Sequence, residues 1–165
     1  METENRKEQL LRDLDRAFPV MPKPIVLAGR QSCGGDEYAY VDEFFRDRSW
    51  TEITLEDLRN AYPGPPDACL CFMSAEAFQY YLPTYLSIFL KHWDEADTIA
   101  DAAIFALVPA SDEKLKGWQA ERFNKFTSTQ RKVITGFLKF VDLKYRNEYE
   151  FIGLVDALLY WQQAA

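Results

Sequence analysis

Residues 74–90 read SAEAFQYYLPTYLSIFL, and this stretch decides the fold. Ala77, Phe78, Tyr81, Leu82, Tyr85, Leu86 and Phe89 recur at three- and four-residue spacing, which places them on one stripe of a helix. Ser74 stands just before the stripe and is a good N-cap, because its hydroxyl can accept from a free amide of the first turn. Pro83 lies inside the pattern. A proline removes one intrahelical hydrogen bond and costs about 3 kcal/mol in a helix interior, so a kink or break is expected near Tyr80.

The same period continues on both sides. Downstream, Asp94 to Leu107 reads as one helix with Ile99, Ala103, Ile104 and Leu107 inward, stopped by Pro109, and a shorter helix follows Ser111. TSTQ at 127–130 is a capping box ahead of Val133, Ile134, Phe137, Leu138 and Val141. Asn147 with Glu150 is read as the cap of a last helix carrying Ile152, Val155, Leu158 and Leu159. Upstream, residues 4–17 form an amphipathic helix with Leu10, Leu11, Leu14 and Phe18 on one face and Thr3 as N-cap. The prolines of FPVMPKP (18–24) end it and impose an extended link. Residues 36–47 give a helix with Tyr38, Val41, Phe44 and Phe45 on one face. TLED at 54–57 opens a short one that must stop before YPGPP at 62–66. IVLA (25–28) and ACLCF (68–72) are the only strand-like runs.

The expectation is a mainly α protein: a single compact helical domain of six to seven helices, with at most a small strand pair in the N-terminal half. Residues 1–19 would be an N-terminal helix, 20–35 an extended linker and loop, and 36–165 the helical core. The predicted core contains Phe78, Tyr81, Leu82, Phe89, Ile104, Phe137, Leu138 and Val141.

Composition supports a folded chain. Of 165 residues, 48% are apolar, 27% charged and 15% aromatic, and a chain of this length buries roughly 70% of its surface on folding. The net charge of −7 argues against nucleic acid or an anionic membrane as the main partner. No N-terminal apolar segment resembles a secretory signal, and the longest apolar run, Ala102–Ala110, is too short to span a bilayer. An odd set of cysteines, Cys33, Cys69 and Cys71, fits reduced thiols in a cytoplasm. In a strand, Cys69 and Cys71 would point to one buried face.

Known chemistries find little footing. IVLAGRQSCGGDE at 25–37 imitates the start of a phosphate-binding loop, but Gly35 and Asp36 stand where lysine and a hydroxyl residue are needed, and an aspartate repels phosphate. The glycines are read as a tight turn. His92 is the only histidine, so neither a zinc site nor a di-iron site is expected, and no cofactor is. No nucleophile is placed beside a base, and with 26 acids a carboxylate pair carries no signal. Charge is uneven, however. Asp42 and Glu43 lie in an acidic stretch over 36–57, and Asp94, Glu95, Asp97 and Asp101 form a second group, with 94, 97 and 101 on one helix face. Residues 114–132 are basic, with Lys114, Lys116, Arg122, Lys125, Arg131 and Lys132. Solvated helix faces are the plain reading; an acidic docking surface for a basic protein is the functional one. Trp50, Tyr80, Tyr81 and Tyr85 are candidates to line a pocket at the proline break.

Four segments carry a resemblance: SWTEI at 49–53, CFMSAEAFQYYLPTYLSIFL at 71–90, ADTIADAAIFALVP at 96–109 and RFNKFTSTQRKVITGFLKFV at 122–141. In order and spacing, over residues 36–142, they resemble an uncharacterised family of small bacterial proteins. Met73-Ser74 and Phe126-Thr127-Ser128 depart from the family's Thr-Pro and Leu-Thr-Pro but keep a cap residue. The resemblance implies a bacterial, cytoplasmic, helical protein and transfers no catalytic residue. The functional expectation is a non-catalytic, small acidic binding protein, of the immunity or antitoxin type, that masks a basic protein partner. The alternative is a small enzyme or ligand-binding protein with its pocket at the Tyr80–Tyr85 break.

Overall fold

The computed structural model describes residues 2–29 and 35–164, and nine helices form among them. In chain order they are α1 (Glu2–Ala17), α2 (Glu37–Phe45), α3 (Leu55–Asn60), α4 (Cys69–Phe72), α5 (Ala75–Ala96), α6 (Thr98–Phe105), α7 (Glu113–Phe123), α8 (Ser128–Tyr145) and α9 (Leu154–Ala164). The helical class is as expected, but the count exceeds six to seven. Part of the excess comes from Cys69–Phe72, which is a single helical turn and not a strand. Four apolar residues are too few for period to separate the two. The amides of Ala68 and Cys71 bond to Pro65 O and Ala68 O, winding the segment into turns. The expected strand pair therefore shrinks to one antiparallel bridge between Ala28 and Met73. Cys69 is buried and Cys71 exposed, so they do not share a face. Cys33 and Gly34 lie outside the described residues.

α5 does not break near Tyr80. It starts where expected, with Ser74 Oγ accepting from Ala77 N at 3.1 Å, and runs helically past Pro83. Its one non-helical residue is His92. The magnitudes explain this. Leu82, Leu86, Ile88, Phe89 and Leu90 are all buried on this helix. At about 1.5–3 kcal/mol each, their burial outweighs the roughly 3 kcal/mol that one interior proline costs. The departures fall instead at His92, where φ of −135° kinks α5, and at Asp97, where φ of 49° separates α5 from α6. Asp94 to Leu107 is thus not one helix.

Both capping boxes form, Thr54 with Asp57 and Thr127 with Gln130. The box expected at Asn147–Glu150 does not, and α9 begins only at Leu154. Gly153 sets the entry, at φ of 77°. Leu154, Ala157 and Trp161 face inward, while Ile152, Val155 and Leu159 face out. The inward face sits two residues later than expected, and two residues turn a helix by about 200°.

One buried cluster runs from Leu10 and Leu14 of α1 to Trp161 of α9. α8 packs between α1 and α9, and α5 packs on α6 and α7. All eight expected core residues are buried. Aromatic edges join the helices: Phe89 meets Phe137 at 5.2 Å, and Trp93 meets Tyr145 at 4.6 Å, between ring centroids.

Candidate functional site

The hydroxyls of α5 act as ties to irregular chain. Tyr81 donates to Phe45 O or Arg48 O, each at 2.8 Å. Tyr85 donates to Pro66 O at 2.9 Å, Thr84 to Trp50 O at 2.8 Å and Tyr80 to Val20 O at 2.7 Å. Trp50 donates through its indole N–H to Phe18 O at 3.2 Å. Burial pushes the Tyr81 and Tyr85 phenols up, away from ionisation. Trp50, Tyr81 and Tyr85 are therefore core residues with their polar tips engaged, and the pocket expected at a break has no break to open it. Tyr80 is the exception. One edge lines a cleft between α5 and the prolines of the 19–24 link.

The acidic candidates also separate. Asp42 pairs with Arg46 one turn along α2, while Glu43 is exposed. Asp94 and Glu95 are exposed on the last turn of α5, and Asp97 sits at the junction. Asp101 belongs to α6 and is half-buried. Its carboxylate accepts from the Tyr149 hydroxyl at 3.1 Å, a bond that raises the phenol above its ordinary range.

Asp101 lines a groove of about 430 Å³ between the α4 end, α6 and the loop before α9. Its other walls include Asp67, Cys71, Phe105, Tyr149, Glu150 and Ile152, and among the described residues no lysine, arginine or histidine lines it. Phe105 is 62% exposed and Ile152 84%. Val155 and Leu159, on the outer face of α9, are exposed as well. The groove thus has an apolar interior and an acidic rim. Although Cys71 is exposed as a residue, its place in the groove wall desolvates the thiol and raises it above its ordinary value despite the nearby Arg122 cation, so at neutral pH it is a poor nucleophile.

The basic stretch is partly spent inside the molecule. Arg122 is buried, its guanidinium between the faces of Phe78 and Trp118 at 4.2 and 4.3 Å, donating to Leu70 O and Met73 O. Arg131 bonds Phe123 O and Phe126 O, and Lys125 pairs with Glu76. His92 is exposed, and among the described residues no group of three or more His, Cys, Asp or Glu side chains converges as a metal site. Of the groove residues, sequence reasoning found Asp101 and missed Asp67, Phe105, Tyr149, Glu150 and Ile152. The available signal was Phe105, a large apolar residue beside the inward stripe of its helix.

The sequence profile of a family of unknown function, DUF6714, matches residues 7–165. The chain belongs to that family. The match takes in most of α1 and all of α9, both outside the segments that carried the resemblance, and so includes every wall of the groove. Neither a curated protein nor a solved structure matches the chain. No described helix is long and apolar enough to cross a membrane.

Proposed function

We propose that this DUF6714 member is a non-catalytic binding protein whose groove between α4, α6 and the α8–α9 loop takes a basic, amphipathic segment of a partner protein. The observation that carries the reading is the groove itself: exposed Phe105 and Ile152 set among Asp67, Asp101 and Glu150, with no cation among the described residues of the lining. An apolar side chain of the partner would fill the floor, at about 1.5–3 kcal/mol per large group buried. Its lysines or arginines would meet the rim, which favours fast encounter more than raw affinity. Masking of a basic toxin by an immunity-type protein is the setting in which such a surface serves best, given the net charge of −7.

The test compares three forms of the protein as bait in the native host. Wild type should retain a basic partner. Phe105→Ser with Ile152→Ser should lose it, and Asp42→Lys with Glu43→Lys, on α2, should keep it. Retention by the groove variant, or loss by the α2 variant alone, overturns the assignment.

A further inference from the structure

We propose that a second cleft, formed by the 19–24 link against α5 and α8, binds a small hydroxylated aromatic carboxylate. It holds about 310 Å³, at the lower end of the volumes that small-ligand sites use. Much of the lining is apolar, with the rings of Phe18, Pro22, Pro24 and Tyr80. Such surfaces suit a planar ring.

The polar groups define the rest of the ligand. Gln79 uses both hydrogens of its Nε2, donating to Lys125 O at 2.6 Å and to Gln130 Oε1 at 2.9 Å. Those partners fix the amide's orientation, since both accept. What Gln79 still offers is its oxygen, an acceptor. Gln130 Oε1 is saturated by Gln79 and by Thr127 N. Its Nε2 donates once, to Ala17 O at 3.2 Å, which leaves one hydrogen. One free acceptor and one free donor at neighbouring amides match a hydroxyl, which donates once and accepts once.

The charge at the lining is Lys23. It is half-buried, and no carboxylate of the described residues lies within ion-pair distance of it; Glu52, already bonded to Ser49, feels its charge only from beyond that distance. Glu76, the one acid of the cleft, is already paired with Lys125 at 2.5 Å. The unmatched charge is therefore positive, and the ligand's other end is an anion. The site shares no lining residue with the acidic groove, so this inference stands apart from the proposed partner.

The experiment is calorimetric titration of the full chain with 4-hydroxybenzoate, benzoate and 4-hydroxybenzamide. Saturable one-to-one binding is expected for 4-hydroxybenzoate, and weaker binding for benzoate, which lacks the hydroxyl. Lys23→Gln, a half-exposed change that leaves the core alone, should weaken 4-hydroxybenzoate about tenfold and leave the neutral benzamide unchanged. Gln79→Met keeps the length of the side chain but removes the acceptor, and should abolish the preference for the hydroxyl. No saturable binding of 4-hydroxybenzoate overturns the proposal. So does binding that ignores Lys23→Gln, since the anion would then lie elsewhere.

Discussion

Arg122 brings a positive charge into the core, with no carboxylate of the described residues paired to it. Burial lowers its proton affinity to about 10, so it stays charged at neutral pH, and its Nε has no hydrogen-bond partner. What compensates is the pair of carbonyls at the end of α4 and the two aromatic faces. Charged hydrogen bonds contribute about 1.5–3 kcal/mol, and desolvated cation–π contacts about 2 kcal/mol. Arg122→Ala is expected to cost about 2–4 kcal/mol in urea denaturation, and Arg122→Lys to recover little, because an ammonium cannot stack. Cys69 gives a pH prediction. Burial raises its thiol to about 11, against an ordinary value near 8.5. A raised value in the folded state means stability is intact below pH of about 8.5 and is lost as pH climbs toward 11. The buried phenols of Tyr62, Tyr81 and Tyr85 are raised too and add to the loss at still higher pH. The urea midpoint should fall between pH 8 and 10.5, and Cys69→Ser should make the fall shallower. A flat wild-type profile would contradict the assignment.

At the scale of elements, the two capping boxes differ in weight. Thr127→Ala should cost about 1 kcal/mol, the usual loss for a removed cap. Gln130→Ala should cost more, because that side chain also bonds Ala17 O and accepts from Gln79. Gly153→Ala should cost about 2 kcal/mol or more. The left-handed backbone alone is worth about 1–2 kcal/mol against an L side chain. The new Cβ would also sit 2.7 Å from Val108 Cγ1, on a β-branched side chain that cannot easily turn away. Thermal melts of the three variants rank these effects. The boxes at Thr54 and Thr127 were legible because a cap is a local pattern of four residues. Pro83 points locally to a break that does not form, because the strength that overrides it lies in tertiary burial, which no local rule contains. The break at Asp97 lacks a glycine or proline to announce it. The inward face of α9 lies two residues out of phase with the sequence pattern because Asn147 and Glu150 imitate a box while Gly153 sets the true start. Of the groove, Asp101 could be read from charge spacing. Tyr149, Glu150 and Ile152 could not, since they meet α6 only after α9 docks.

At the scale of the molecule, core and groove should respond to different changes. Phe137→Ala removes a fully buried ring that packs on Phe89, and should cost about 3–5 kcal/mol through lost transfer energy and a cavity. Phe105→Ser and Ile152→Ser alter exposed positions and should move stability by about 0.5 kcal/mol or less. Asp101→Lys with Glu150→Lys should slow association with the captured partner. The wild-type rate should fall as salt rises, because the Debye length is only about 8 Å at physiological ionic strength. Stopped-flow mixing at two salt concentrations measures both, and an association rate indifferent to the substitutions and to salt would remove electrostatic steering from the account.

The ties that α5 makes to the irregular chain also bear on the order in which the protein folds. Tyr80, Tyr81 and Thr84 reach carbonyls 60, 36 and 34 residues away in sequence. None of these bonds can close before the link and the loop after α2 have found the helix, and the prediction is that they form late, on the native side of the barrier. Contacts absent from the transition state govern how fast the native molecule opens, and leave the speed of folding alone. Tyr81→Phe should therefore steepen the loss of native protein by raising the unfolding rate, with the refolding limb unchanged. The loops would then be the first parts to come free.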